Sequence, residues 1–339
     1  MPSSGTPILI LHQGARGDLL LSLPALYSLR IYHKNNPWTL VGNTANLVLL
    51  HLRFYAQAIR SHHEKEWAYL FRERPLLPER FRLFLEGFER VYIFAHQPPE
   101  VLIENLKTSG AFPVDWIPSF PEAKRKEPVP VVQQRVLSAW GVPWVSPEKS
   151  LFPTDQDRQA GLQVLDRIGF RGRPGFLPWA IHPGSGGRSK NWPLEHFLTL
   201  ADQLKAQQQW QPFFILGPVE EEVSPGMAET IQARGFPLVR HLPLNVLAGL
   251  LDLSAGYLGN DSGVTHLAAA LNLPTFALFG PTDPGLWGSR GEKVVILRSG
   301  PSGVPGRRKD SLPEAATGGW ERLRVSDVLA AIQRNPPIL

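Results

Sequence analysis

Hydrophobic residues in this chain fall mostly into short unbroken runs, with little strict alternation. Residues 6–13 (TPILILHQ) are nearly continuous in apolar side chains, as in a central parallel strand buried on both faces. Runs at 38–41, 58–60, 91–94 and 113–117 follow, separated by helical stretches. That alternation predicts βαβ units and a parallel sheet. The pattern then restarts. Residues 176–182, 213–216, 238–242 and 274–279 read as strands, and 194–208, 245–253, 264–271 and 325–333 as helices. Tyr257 and Leu258 add one more short apolar run.

A chain of 339 residues is long for one hydrophobic core and comfortable for two. The Gly/Pro run RGRPG at 171–175 marks a linker. We therefore expect a first domain over 1–172, a second over 173–320 and a C-terminal helical segment over 321–339. Hydrophobic content of 43% and charged content of 19% are those of an ordinary globular protein. No apolar run approaches the roughly 20 residues of a membrane span. The first residues carry neither a basic n-region nor an A-x-A-like cleavage site, so no secretory signal is expected. Zero cysteines exclude disulfides, thiolate metal sites and cysteine nucleophiles. A net charge of +5 and a pI near 9.5 favour an anionic partner. No RNP, zinc-finger or helix-turn-helix signature accompanies that charge, so nucleic acid is not the expected partner.

The candidate chemistry sits in the turns after the strands. Gly259-Asn-Asp-Ser-Gly263 leads into an Ala-rich helix, whose first N–H groups face out of the turn and suit a phosphate. Asp261, Ser262 and Gly263 line this turn, and His266 lies three residues into the helix. Asp261 or Ser262 reads equally well as a plain N-cap. In Pro183-Gly-Ser-Gly-Gly187, glycines 184, 186 and 187 with Ser185 let backbone amides approach an anion, and Lys190 adds a point charge. Glu220 follows the strand at 213–216; it either accepts from sugar hydroxyls or lies simply exposed among three successive glutamates. Asp18 lies at the carboxyl end of the first strand, where open α/β sheets bind ligands, and serves as a functional carboxylate or as a helix-capping one. Asp155-Gln-Asp157 is a D-x-D, but Thr154 ahead of it makes a capping box the better reading. Between 51 and 90, Arg53, Arg60, His62, His63, Lys65, Arg72, Arg74, Arg80 and Arg82 are interleaved with glutamates. Solvated faces with i,i+4 partners are expected there, or in part an anion cradle.

D-S-G-x-x-H-x-A-A-A with F-G-P-T-D-P, H-P-G-S-x-x-x-x-K-x-W-P, G-P-x-E and the N-terminal G-D-x-x-x-x-x-P-A-L together resemble the bacterial lipopolysaccharide heptosyltransferases, glycosyltransferase family 9. The resemblance spans nearly the whole chain and is vague from about 45 to 170. It implies the GT-B fold, two Rossmann-like domains with parallel sheets facing across a cleft. It implies transfer of heptose from ADP-heptose to an inner-core acceptor, with Asp18 as general base and Lys190 on the diphosphate. Glu220 maps to a ribose ligand, the backbone at His241–Leu242 meets the adenine, and the C-terminal helix crosses back to the first domain. The implied partners are a nucleotide sugar and an anionic glycolipid, with cytoplasmic location and peripheral contact at the inner membrane. No metal or other cofactor is expected, because a lysine and helix termini supply the electrostatics.

Other readings stay open: a different nucleotide sugar or acceptor, or a non-catalytic nucleotide-sugar binding protein. A NAD-dependent oxidoreductase lacks its clean G-x-G-x-x-G and acidic ribose ligand. The residues fix no oligomeric state. The basic loop 300–319, with Arg307, Arg308 and Lys309, has no assigned role.

Overall fold

The computed structural model describes residues 5–73, 75–110, 112–122, 125–170, 177–207, 209–299 and 319–336. The linker run 171–175 and nearly all of the loop 300–319 lie outside them. The chain divides into two compact units, 1–152 and 153–339.

In the first unit the strands are β1 (Ile8–His12), β2 (Trp38–Gly42), β3 (Ala58–Ser61), β4 (Arg90–Ala95) and β5 (Val114–Pro118). They form one all-parallel sheet in the order β3-β2-β1-β4-β5. Every residue of β1 is buried, as an unbroken apolar run between two partners requires. The order turns back between β1 and β4, and open sheets leave a ligand crevice at such a switch point. The first helical stretch runs as Arg16–Leu21 and continues after Ser22 as Leu23–Tyr32, with Pro24 in its first turn.

In the second unit the strands are β6 (Leu177–His182), β7 (Trp210–Leu216), β8 (Leu238–Arg240), β9 (Gly256–Asn260), β10 (Thr275–Phe279) and β11 (Val294–Arg298). Their order, β11-β10-β9-β6-β7-β8, is the doubly wound Rossmann order with its switch point between β6 and β9. The loop after β6 and the turn after β9 both leave the sheet at that point. Strand β7 starts three residues before the predicted 213 because Pro212 is tolerated inside it. Phe214 N donates across to Pro237 O, so the nitrogen of Pro212, two residues earlier, faces the same side where β8 has not begun.

The boundary between units falls near 152 rather than at 172, and helix packing explains why. Helix Asp155–Arg167 lies on helix Leu244–Asp252, and two glycines set their spacing. A Cβ on Gly249 would stand 1.9 Å from Asp157 O, and one on Gly161 2.5 Å from Leu250 N. Gly249→Ala is expected to destabilise the second unit by about 1–3 kcal/mol or more, since the obstacle is backbone that cannot rotate away. Denaturant unfolding would measure it.

The same helix start settles the D-x-D. Thr154 Oγ1 accepts from Asp157 N at 3.2 Å, and Asp157 Oδ2 accepts from Thr154 N at 2.8 Å. Asp157 Oδ1 takes Asn245 Nδ2 at 3.0 Å, so this carboxylate caps and packs helices.

The C-terminal helix, Val325–Arg334, packs on the second unit. Its buried face (Val328, Ala331, Ile332), with Trp320 and Leu323, joins the core of the second unit around Trp192, Phe197 and Leu198. Trp192 Nε1 donates to Leu323 O at 3.0 Å, and Trp320 Nε1 to Ser189 O at 3.3 Å. The C-terminal segment therefore braces the loop that carries Lys190. No helix among the described residues is long and apolar enough to cross a membrane.

Candidate functional site

The first unit offers Asp18. It is the third residue of the helix that follows β1, and its Oδ2 accepts from Ala15 N at 2.8 Å. The capping reading therefore holds, yet an ionised carboxylate has further lone pairs to give. Burial pushes the Asp18 carboxyl above its ordinary range, against the opposing pull of the Ala15 N–H and the His96 charge. A base held above the usual aspartate pKa takes protons more readily than a free side chain does. Behind it His12 is buried and stacked on Phe94, and burial lowers its pKa to about 4. It is a neutral core residue. The basic stretch is largely committed locally: Arg60 pairs with Glu64 and Arg82 with Glu86, both i,i+4, while Arg53 donates to Val48 O and His51 O. Arg74 lies outside the described residues.

The second unit gathers the remaining candidates at the β6–β9 switch point. Asn260 ends β9 fully buried, and its side chain wires the two loops together. Its Nδ2 donates to Pro183 O at 2.7 Å and its Oδ1 accepts from Trp192 N at 3.0 Å. Ser185 is buried with its hydroxyl on Asn191 Oδ1 (2.7 Å) and Gly187 O (3.0 Å), so it closes the loop from within. Gly184 has no room for a side chain, since a Cβ would meet Glu220 Cγ at 2.0 Å. At Gly186 and Gly187 a Cβ would meet nothing within 4 Å, so packing does not account for those glycines.

Lys190 Nζ is 2.9 Å from Asp261 Oδ2, an ion pair that sequence spacing does not reveal. The lysine side chain is 38% exposed and the aspartate 7%, so a ligand from solvent meets the ammonium first. Ser262 is the N-cap of helix Gly263–Ala270, its Oγ accepting from Thr265 N at 3.3 Å. His266, one turn in, is buried with Nδ1 2.9 Å from Ser289 Oγ. Burial lowers its pKa to about 4, with the Asp261 charge pulling up and Lys190 pushing down. At neutral pH it is therefore an uncharged imidazole and adds no cation.

Glu220 is buried rather than solvated. Its Oε2 accepts from Gly217 N at 2.7 Å, and Oε1 lies 3.4 Å from His182 Nε2. Burial pushes the Glu220 carboxyl up, but the hydrogen bond and charge of His182 and the Gly217 N–H outweigh it, leaving the pKa lowered. The next glutamate, Glu221, faces out and pairs with Arg240 and His241. His241 sits in the left-handed region at φ 50°, turning the chain sharply before half-buried Leu242. Sequence reasoning missed His182, Ser289 and Asn260. His182 heads the H-P-G-S run and Asn260 stands in the Gly259–Gly263 turn, while Ser289 lies in no motif. Among the described residues no group of three or more His, Asp or Glu is placed to hold a metal.

Two parallel-sheet Rossmann-like domains, the second with amide-rich loops at its switch point, define the class: a GT-B-type α/β protein. The crystal structure of a glycosyl transferase family 9 protein from Veillonella parvula shares this fold at TM-score 0.75 and 17% identity, over 98% of each chain. Escherichia coli heptosyltransferase WaaC with ADP does so at TM-score 0.65 and 18% identity, over 97% of this chain and 99% of that one. The sequence model of glycosyltransferase family 9 (heptosyltransferase) matches residues 125–315, and the chain belongs to that family. A curated relative, lipooligosaccharide heptosyltransferase 2 of Haemophilus influenzae, is 33% identical over 134 residues. That match spans 39% of this chain and 38% of the relative, well under half its length.

Proposed function

We propose that the protein is an inverting heptosyltransferase, moving heptose from ADP-heptose to an inner-core lipopolysaccharide acceptor. Family membership supports the chemistry; the relatives' names carry heptosyl transfer, ADP and lipooligosaccharide, and the motif resemblance supplies ADP-heptose and the inner-core acceptor. The observation that carries the reading is the convergence of Lys190, Asp261, the Ser262-capped helix and neutral His266 at one switch point.

In a single displacement the acceptor hydroxyl attacks the anomeric carbon and its proton passes to Asp18. The bond from that carbon to the diphosphate oxygen breaks, and ADP leaves with the electron pair. Lys190, the amides of Gly186 and Gly187 and the N-terminus of helix Gly263–Ala270 meet the developing charge. Preorganised donors of this kind are worth about 2.7–4 kcal/mol each. The open space at Gly186 and Gly187 lets a diphosphate approach the main chain. Neutral His266 donates a hydrogen bond without competing for the acceptor's proton. Asp261 takes sugar hydroxyls, Glu220 the ribose, and the main chain at Leu242 the adenine. On this account no metal is required. The enzyme works in the cytoplasm at the inner-membrane face, where a glycolipid acceptor is reached.

The test is a panel of ADP, UDP and GDP with their sugars, followed by mass spectrometry of a core acceptor. ADP is expected to raise the melting temperature most, and ADP-heptose to give one added heptose. Selective stabilisation by UDP or GDP would overturn the donor.

A further inference from the structure

The candidate ribose ligand and the candidate diphosphate turn belong to different loops, and one buried imidazole lies between them. His182 ends the central strand β6 and is only 2% exposed. Its Nε2 is 3.4 Å from Glu220 Oε1 and its Nδ1 is 3.3 Å from Ser262 Oγ. We propose that His182 is a positioning residue that couples Glu220 to Ser262, so that the ribose and diphosphate ends of the donor are held as one unit. This rests on the donor-site reading above.

Proton bookkeeping gives the bridge a direction. The Glu220 carboxylate accepts only, so the facing Nε2 must carry a hydrogen. When the ring is neutral, Nδ1 is an acceptor and the Ser262 hydroxyl donates to it. The Ser262 hydroxyl has one hydrogen and two acceptors in reach, His182 Nδ1 at 3.3 Å and Thr265 Oγ1 at 3.2 Å, while its lone pair takes the Thr265 N–H. Thr265 Oγ1 is in turn spent on Asn260 O, and Tyr257 OH lies 3.0 Å from it. The absent side chain at Gly184 provides the space in which Glu220 reaches His182. At 3.3 and 3.4 Å both bridging contacts sit at the long end of hydrogen bonding. A shift of a few tenths of an ångström in either loop therefore strengthens or breaks them.

Three variants separate the two arms. Gln in place of His182 sets an amide N–H where Nε2 was and serves Glu220 alone. Asn sets an amide oxygen where Nδ1 was and serves Ser262 alone, and Phe serves neither. Calorimetry with ADP, 2′,3′-dideoxy-ADP and inorganic pyrophosphate reads both ends. The wild type is expected to prefer ADP over its dideoxy analogue by about tenfold or more, as for a hydrogen bond to a charged group. His182→Gln keeps that preference and loses about tenfold for pyrophosphate. His182→Asn keeps pyrophosphate and loses the preference, and His182→Phe loses both. Equal weakening of all three ligands by all three variants would make His182 merely structural and overturn the proposal. So would no change in any variant. If the wild type binds pyrophosphate but neither nucleotide, the donor reading itself fails and the coupling falls with it. The Gln and Asn variants keep the test open should the Phe variant not fold.

Discussion

Asp18→Asn is expected to lower heptosyl transfer by about 10²- to 10⁴-fold while leaving the ADP dissociation constant unchanged. Asparagine keeps the shape and still accepts from Ala15 N, so the start of the helix survives. What is lost is the proton acceptor. The residues proposed to hold ADP all belong to the second unit and Asp18 to the first, which is why binding and turnover should part company. The pH profile follows from the direction of the shift. Burial raises the Asp18 pKa, and the base must be ionised to act. Activity is therefore present above that raised value and lost as pH falls through it, with an acid limb above the ordinary 3.8 of aspartate. The same sign supplies the folding control. A carboxylate whose folded pKa is raised opposes folding once ionised, so the Asn variant should melt no lower than the wild type at neutral pH. Loss of ADP affinity with turnover intact would remove Asp18 from the role.

Much of the architecture was legible because parallel strands buried on both faces write themselves as unbroken apolar runs. ILILH at β1 and TFALF at β10 are of this kind, and both lie where the pattern put them. Less legible were elements whose identity depends on partners. Strand β9 continues through Gly259 and Asn260, poor strand formers kept there by pairing with His182 and Leu278 and by the side-chain bonds of Asn260. Strand β11 is an edge, only partly buried, and no element was assigned to it from sequence.

The site divides in the same way. Motif residues at turns could be named from sequence, since glycine, serine and a carboxylate after a strand have local reasons to be there. Contacts across the chain could not. Lys190 meets Asp261, His182 meets both Glu220 and Ser262, and Ser289 meets His266, at separations from 23 to 80 residues. Glu220 shows what this changes. One of three successive glutamates, it reads as surface, yet the empty volume at Gly184 draws it inside while Glu221 stays out.

The Lys190–Asp261 pair leads to a prediction in which two neighbouring substitutions act in opposite directions. Lys190→Ala is expected to weaken ADP binding by about a hundredfold or more. It removes a charged donor, worth roughly 1.5–3 kcal/mol. It also leaves the Asp261 carboxylate, 7% exposed, unpaired beside an incoming diphosphate. Asp261→Asn, by contrast, should tighten ADP, because the Lys190 charge is no longer shared and a repelling carboxylate is gone. Transfer from ADP-heptose should nevertheless fall in the same variant, since the amide is a poorer acceptor for sugar hydroxyls than a carboxylate. In the double variant the loss of affinity should be smaller than the sum of the two single effects gives, because the carboxylate repels most once Lys190 is gone, a non-additivity expected of groups in contact. Calorimetry with ADP and initial rates with ADP-heptose measure the two effects separately. Weaker ADP binding in Asp261→Asn would mean that the aspartate orients the lysine toward the ligand instead of competing with it. Strictly additive effects would mean that the 2.9 Å contact has no bearing on donor affinity.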